Sequence, residues 1–180
     1  MGELSSTAKN ELLKLARKAI EEYILRGKKT EPLFTDELKE MRGAFVTLVI
    51  GNELRGCIGY VIPIQNLANT VIDCAIAAAV EDPRFSPLKP KEVNKIKIEI
   101  SVLSPLKKVK SIDEIEIGKH GIMLTRGFNR GLLLPQVATE HNMDKITFLE
   151  NTCYKAGLDK EAWKDKDTIL EIFSAEIFSE

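Results

Sequence analysis

The segment Leu54-Arg55-Gly56-Cys57-Ile58-Gly59 has the residue types and the spacing to do chemistry. In an extended strand successive side chains alternate between faces. Arg55 and Cys57 then share one face, with Cα atoms roughly 6.5 Å apart; Leu54, Gly56 and Ile58 share the other. A guanidinium beside a thiol favours the thiolate, which is the nucleophile and the metal ligand. Glycine weakens a strand interior, so Gly56 and Gly59 point to a bulge or to the close approach of another group. Together these residues describe a reactive cysteine in a glycine-lined pocket that accepts an anion. The plain alternative is a tight hairpin with a small buried thiol and a surface arginine.

Other residues add possibilities. Asp82-Pro83-Arg84-Phe85 is a stiff turn that either presents a carboxylate and a guanidinium to a cleft or stops a helix with a local ion pair. His120 and His141 are the only histidines. Neither has a partner at metal-binding spacing, so an all-histidine metal site is excluded, while His120 remains available as an acid or base for Cys57. Gln136 follows Leu132-Leu133-Leu134-Pro135 and either points into a cleft or caps the break. Cys74 and Cys153 lie on apolar helical stripes, where a free cysteine behaves as a small hydrophobe.

Composition narrows the classes. The 180 residues carry 26 Lys+Arg and 27 Asp+Glu, for a net charge of −1, which argues against a nucleic-acid or acidic-membrane partner. Three cysteines without a C-x-x-C pair argue against a disulfide framework, a four-thiolate zinc site or a self-supplied iron–sulfur site. The G-x-x-x-x-G-K-[ST], G-x-G-x-x-G and G-x-S-x-G motifs are missing. No cofactor or metal is called for. With free thiols, no targeting segment and no long apolar run, the expected location is the cytoplasm. Abundant Lys, Glu and Ile with little Gln lean towards a thermophilic source.

The elements that must position these residues follow from patterning. Ser5-Ser6-Thr7 and Gly27 bracket a helix carrying Leu12, Leu15, Ala16, Ala19, Ile20, Tyr23 and Ile24 on one stripe. A polar connection with one helical turn near Thr35 fills residues 28–42. Residues 44–50 and 54–60 form a hairpin across Gly51-Asn52. A helix opens near Asn66 and ends before Pro83. Ile96, Ile98, Ile100 and Val102 alternate with Lys97, Glu99 and Ser101 in a half-buried strand. Lys107-Lys108-Val109-Lys110 is expected to be a solvated loop. Short strands are expected at 115–117, 122–125 and 132–134, with a loop at 127–131. Asp144 and Gly157 bracket a last helix, and 169–178 is a final strand. Adjacent strand runs without strict β-α-β alternation imply an α+β fold with mainly antiparallel sheet and flanking helices.

In order along the chain, several segments resemble the AMMECR domain family, component A of the AmmeMemoRadiSam system. They are Phe45-Val46-Thr47-Leu48, the Leu54–Gly59 signature, Asp82-Pro83-Arg84-Phe85 with Pro87-Leu88, and Ile100-Ser101-Val102-Leu103. His120-Gly121, Leu133-Leu134-Pro135-Gln136-Val137 and Lys155-Ala156-Gly157-Leu158 with Trp163 complete the set. The resemblance implies one AMMECR-type domain over residues 5–180, built as interleaved larger and smaller lobes with the signature near a groove between them. It also implies an association with radical-SAM and Memo-type partner proteins.

The resulting expectation is a thiol-dependent enzyme, or the reactive subunit of one, acting on a small-molecule substrate. Cys57 and His120 are its catalytic candidates. Arg55, Gly56, Gly59, Asp82, Arg84 and Gln136 are its binding candidates. The alternative is a non-catalytic adaptor or protein-binding module using the same groove, with Arg55 as an anchor.

Overall fold

The computed structural model describes residues 3–32 and 35–180. The chain forms two compact units. One runs up to Leu103 and includes Glu176–Glu180, and the other is Ser104–Ala175.

In the first unit, α1 (Ser6–Arg26) starts where the Ser5 hydroxyl accepts a hydrogen bond from the Ala8 N–H, and it ends on Gly27 at φ 63°. Its stripe of Leu12, Ala16, Ala19 and Ile20 is fully buried. Helix α2 (Leu67–Val80) is capped by the Asn66 side chain and packs against α1. It is apolar on nearly every face, as a helix enclosed on several sides must be. Both helices cover a sheet of order β2-β1-β3-β8. Its strands are β1 (Ala44–Ile50), β2 (Glu53–Tyr60), β3 (Ile96–Leu103) and β8 (Ala175–Ser179). Val46, Leu48, Ile98 and Ile100 are fully buried on its helix face, each contributing about 1.5–3 kcal/mol relative to exposure.

In the second unit the sheet order is β4-β7-β5-β6, with β4 (Lys107–Lys108), β5 (Gly121–Arg126), β6 (Asn129–Leu133) and β7 (Ile169–Phe173). Helix α3 (Pro135–Glu140) follows β6, and α4 (Lys145–Lys155) is capped by the Asp144 carboxylate. Ile122, Phe148, Leu149 and Ile172 meet in its core. Among the described residues, four helices and two antiparallel sheets make the fold α+β.

Five local expectations change. The loop expected at 127–131 shrinks to Gly127 and Phe128, because Asn129, Arg130 and Gly131 pair with β5 as the start of β6. The final strand is two strands: β7 serves the second sheet and β8 the first, with a break at Ser174, whose N–H bonds the Ser104 hydroxyl. Residues 115–117 are no strand. A 3₁₀ turn capped by Ser111 precedes them, a turn through Gly118 at φ 81° follows, and only Ile115 enters the core. The expected lysine loop begins as β4, paired with β7. The chain after Leu133 becomes α3, because proline is well suited to a first helical position.

In each unit a strand glycine lies directly against a helix backbone. A Cβ on Gly56 would sit 2.0 Å from the Ala78 carbonyl oxygen of α2. One on Gly131 would sit 2.4 Å from the Thr152 oxygen and the Ala156 nitrogen of α4. Replacing a strand glycine by alanine ordinarily favours folding. Here the obstacle is backbone, which cannot rotate aside, so Gly56→Ala is expected to destabilise by about 2 kcal/mol or more. In a chain of this size that lowers Tm by about 4–8 °C. A melt followed by circular dichroism checks this, and a Tm at or above that of the parent would contradict the contact.

Candidate functional site

Cys57 lies on β2, the edge strand of the first sheet. Pairing places Val46 opposite Ile58 and Leu48 opposite Gly56 on the helix face, leaving Thr47 and Cys57 as partners on the other. Thr47 also pairs with Glu99 of β3. A thiol, a hydroxyl and a carboxylate therefore form one row across three strands, where directly opposed Cβ atoms lie about 4.5–5.5 Å apart. The Thr47 hydroxyl donates to the Cys57 sulfur at 3.2 Å. In the next row the Phe45 ring covers Gly59, where a Cβ would be 2.3 Å from the ring. The glycine thus makes room for an aromatic beside the thiol.

The pairing slips between Leu48 and Val49. Leu48 faces Gly56 while Val49 faces Leu54, so Arg55 is the extra residue of a bulge. The Arg55 guanidinium is held by Glu92, with Nε donating to Oε1 at 2.9 Å and Nη2 to Oε2 at 3.3 Å. This pairing is the main cause that draws the Glu92 carboxyl below its ordinary range.

Arg84 supplies the guanidinium that contacts Cys57 itself. As the first residues beyond α2, Asp82, Pro83 and Arg84 fold against the exposed edge of β2. Asp82 Oδ2 accepts the Cys57 N–H at 2.9 Å, and Arg84 Nη2 donates to the Cys57 carbonyl at 3.4 Å. Arg84 grips the same carboxylate through Nε at 3.0 Å and Nη2 at 2.7 Å. The Asp82 side chain is 2% exposed and the Arg84 side chain 55%. Hydrogen bonding from Arg84, joined by the Cys57 N–H, outweighs burial and holds the Asp82 carboxyl well below the usual carboxylate range. Asp82 in turn raises the Arg84 guanidinium. An edge strand must satisfy its outward backbone groups, and at Cys57 this ion pair does so.

The first unit therefore brings together Arg55, Gly56, Cys57, Gly59, Asp82 and Arg84. His120 and Gln136 belong to the second unit. His120 Nδ1 accepts the Glu116 N–H at 3.1 Å. Gln136, second in α3, has a buried Oε1 without a hydrogen-bond partner among the described residues. Cys74 and Cys153 are fully buried, and burial pushes Cys74 up to about 12 and raises Cys153. Among the described residues no group of three or more His, Cys, Asp or Glu side chains could hold a metal ion. Nor is any helix long and apolar enough to cross a membrane. Sequence reasoning passed over Thr47, Glu92 and Glu99. The signal for Thr47 was available, since it is the one polar residue in AFVTLVI.

The charge on Asp82 has a measurable pH signature. Asp82→Asn keeps an acceptor for the Cys57 N–H and loses the ionic grip on Arg84. Because Arg84 is more than half exposed, screening limits the cost to about 1–2 kcal/mol. A depressed native pKa contributes stability that is complete above the unfolded value of about 3.9 and is lost as pH falls through the native value. Urea unfolding should therefore separate parent and variant fully at pH 7 and less at pH 3. A gap that widens in acid would contradict the assignment.

Known proteins resemble this chain in sequence and in fold. The AMMECR1 family model matches residues 13–178. Protein MK0488 of Methanopyrus kandleri is 46% identical, with 100% of this chain and 92% of that protein covered. Protein PF1979 of Pyrococcus furiosus is 46% identical over 94% of this chain and 86% of its own length. The crystal structure titled as the uncharacterized protein PH0010 from Pyrococcus horikoshii superposes with a TM-score of 0.83 at 44% identity, covering 94% of this chain and 89% of that one. With a family match over nearly its whole length and archaeal relatives at this level of identity, the chain belongs to the AMMECR1 family.

Proposed function

We propose that the chain works through Cys57, as a thiol-dependent enzyme or the reactive subunit of one, in a pathway with radical-SAM and Memo-type proteins. The observation that carries this reading is the contrast among three thiols. Cys74 and Cys153 are sealed in apolar cores. Cys57 is only partly buried, has a hydroxyl donor on its sulfur and has both main-chain groups clamped by Asp82 and Arg84.

A fixed main chain beneath an accessible sulfur is the support that a positioned nucleophile needs. The Thr47 hydroxyl gives the sulfur one defined hydrogen-bond partner, and the Asp82–Arg84 ion pair holds the backbone that carries it. Asp82 and Arg84 are thus positioning residues for Cys57. Gly59 makes room for the Phe45 ring beside the thiol, Gly56 seats the strand on α2, and Arg55 is turned away to Glu92. The pathway and its partner proteins rest on the family resemblance. His120 and Gln136 lie in the other unit, and the reading does not require them.

Alkylation with iodoacetamide at pH 7, mapped by mass spectrometry on the native chain, tests the thiol. Cys57 is expected to react faster than cysteine in an unstructured peptide, with Cys74 and Cys153 protected until unfolding. Thr47→Val should slow Cys57 by about 2- to 10-fold through loss of one hydrogen bond. A rate no faster than that of the peptide sinks the activated thiol. Cys57→Ser that retains full pathway function would identify a binding module instead.

A further inference from the structure

Arg55 and the segment 85–92 border an open hollow that the thiol does not line. Arg55, Phe85, Ser86, Lys89, Lys91 and Glu92 form its wall, around about 320 Å³. Three cationic side chains stand against one carboxylate, and that carboxylate is bonded to Arg55. In a chain whose overall charge is −1, this is a local positive excess of two.

We propose that this hollow binds the phosphoryl group of a small phosphate ester. Glu92 occupies two of the Arg55 N–H donors, and a guanidinium has five. The others remain for a ligand, held in a fixed direction by the ion pair. Lys89 and Lys91 add two point charges. A guanidinium fork with two ammonium groups offers more donors and more charge than a monoanionic carboxylate can use, and it matches a tetrahedral dianion.

The wall is also stiff before any ligand arrives. Pro83, Pro87 and Pro90 fix three backbone φ angles within ten residues. Leu88 is 4% exposed, and its N–H bonds the Ala79 carbonyl at the end of α2. Val93 anchors the far end at 2% exposed. The Glu92 carboxylate that orients Arg55 also accepts the Lys89 N–H at 2.8 Å. One carboxylate therefore sets both Arg55 and the loop that carries the lysines, and little ordering is left for the ligand to drive. Phe85 provides an apolar wall for the organic part of an ester.

This site goes beyond the thiol reading and stands without it. Its test is calorimetric titration of the intact chain with inorganic phosphate and with pyrophosphate, at constant ionic strength set by chloride. Saturable binding is expected. It should weaken by about tenfold or more in Lys89→Ala/Lys91→Ala, where both residues are exposed and the fold is undisturbed. Cys57→Ser should bind as the parent does, so a slow thiol and an empty hollow are separate results. Absence of saturable binding, or binding indifferent to the two lysines, overturns the proposal. So does random duplex DNA that binds more tightly than pyrophosphate and loses that binding in the double variant, since the patch would then serve a nucleic-acid backbone.

Discussion

The contact between Gly56 and the backbone of Ala78 sets the dimensions of the first unit. No side chain separates strand from helix there. The end of α2 is thereby pressed onto the edge of the sheet, and the residues that leave the helix have only a short way to travel. Asp82 comes four positions after Ala78 and reaches the Cys57 N–H without an intervening loop. With a side chain at position 56, the helix would stand off and the carboxylate would lose its acceptor position.

The same arrangement gives the Asp82–Arg84 pair two tasks. As structure, it satisfies backbone groups that an edge strand would otherwise offer to another chain. As chemistry, it fixes the residue that carries the one partly buried thiol. Burying the carboxylate while leaving its guanidinium partner half in water keeps positive charge at the surface beside Cys57. Arg55, displaced by the bulge, is set by Glu92 and faces a different hollow. The signature thus feeds two neighbouring environments through residues only two positions apart.

Local sequence made much of this legible. Ser5, Asn66, Asp144 and Gly27 act as the helix boundaries their types suggest. The alternation in β3 matches its burial through Ile100. Gly56 and Gly59 were readable as close approaches, though only the fold shows that one meets a helix and the other a phenyl ring. What stayed hidden depends on pairing between distant residues. Strict alternation suggested an Arg55–Cys57 partnership, whereas Glu92, 37 positions away, takes Arg55. The row joining Cys57, Thr47 and Glu99 exists only once strand order is known. The single run at 169–178 looked uniform because β7 and β8 are both apolar stretches around one glutamate; their assignment to different sheets is tertiary.

That split makes the second unit an insertion between β3 and β8 of the first. Arg42 is 4% exposed and bonds Glu176, 134 positions later. Glu176 also accepts the Leu4 N–H. During synthesis the first sheet therefore lacks one strand, and Arg42 lacks its hydrogen-bonded partner Glu176, until the entire insertion has been translated. At about 5–20 residues per second, translating Ser104–Ala175 takes roughly 4–14 s. Over that time the nascent first unit carries an open sheet edge and a guanidinium short of one partner, a vulnerable state written into the order of the chain and erased when its last strand arrives.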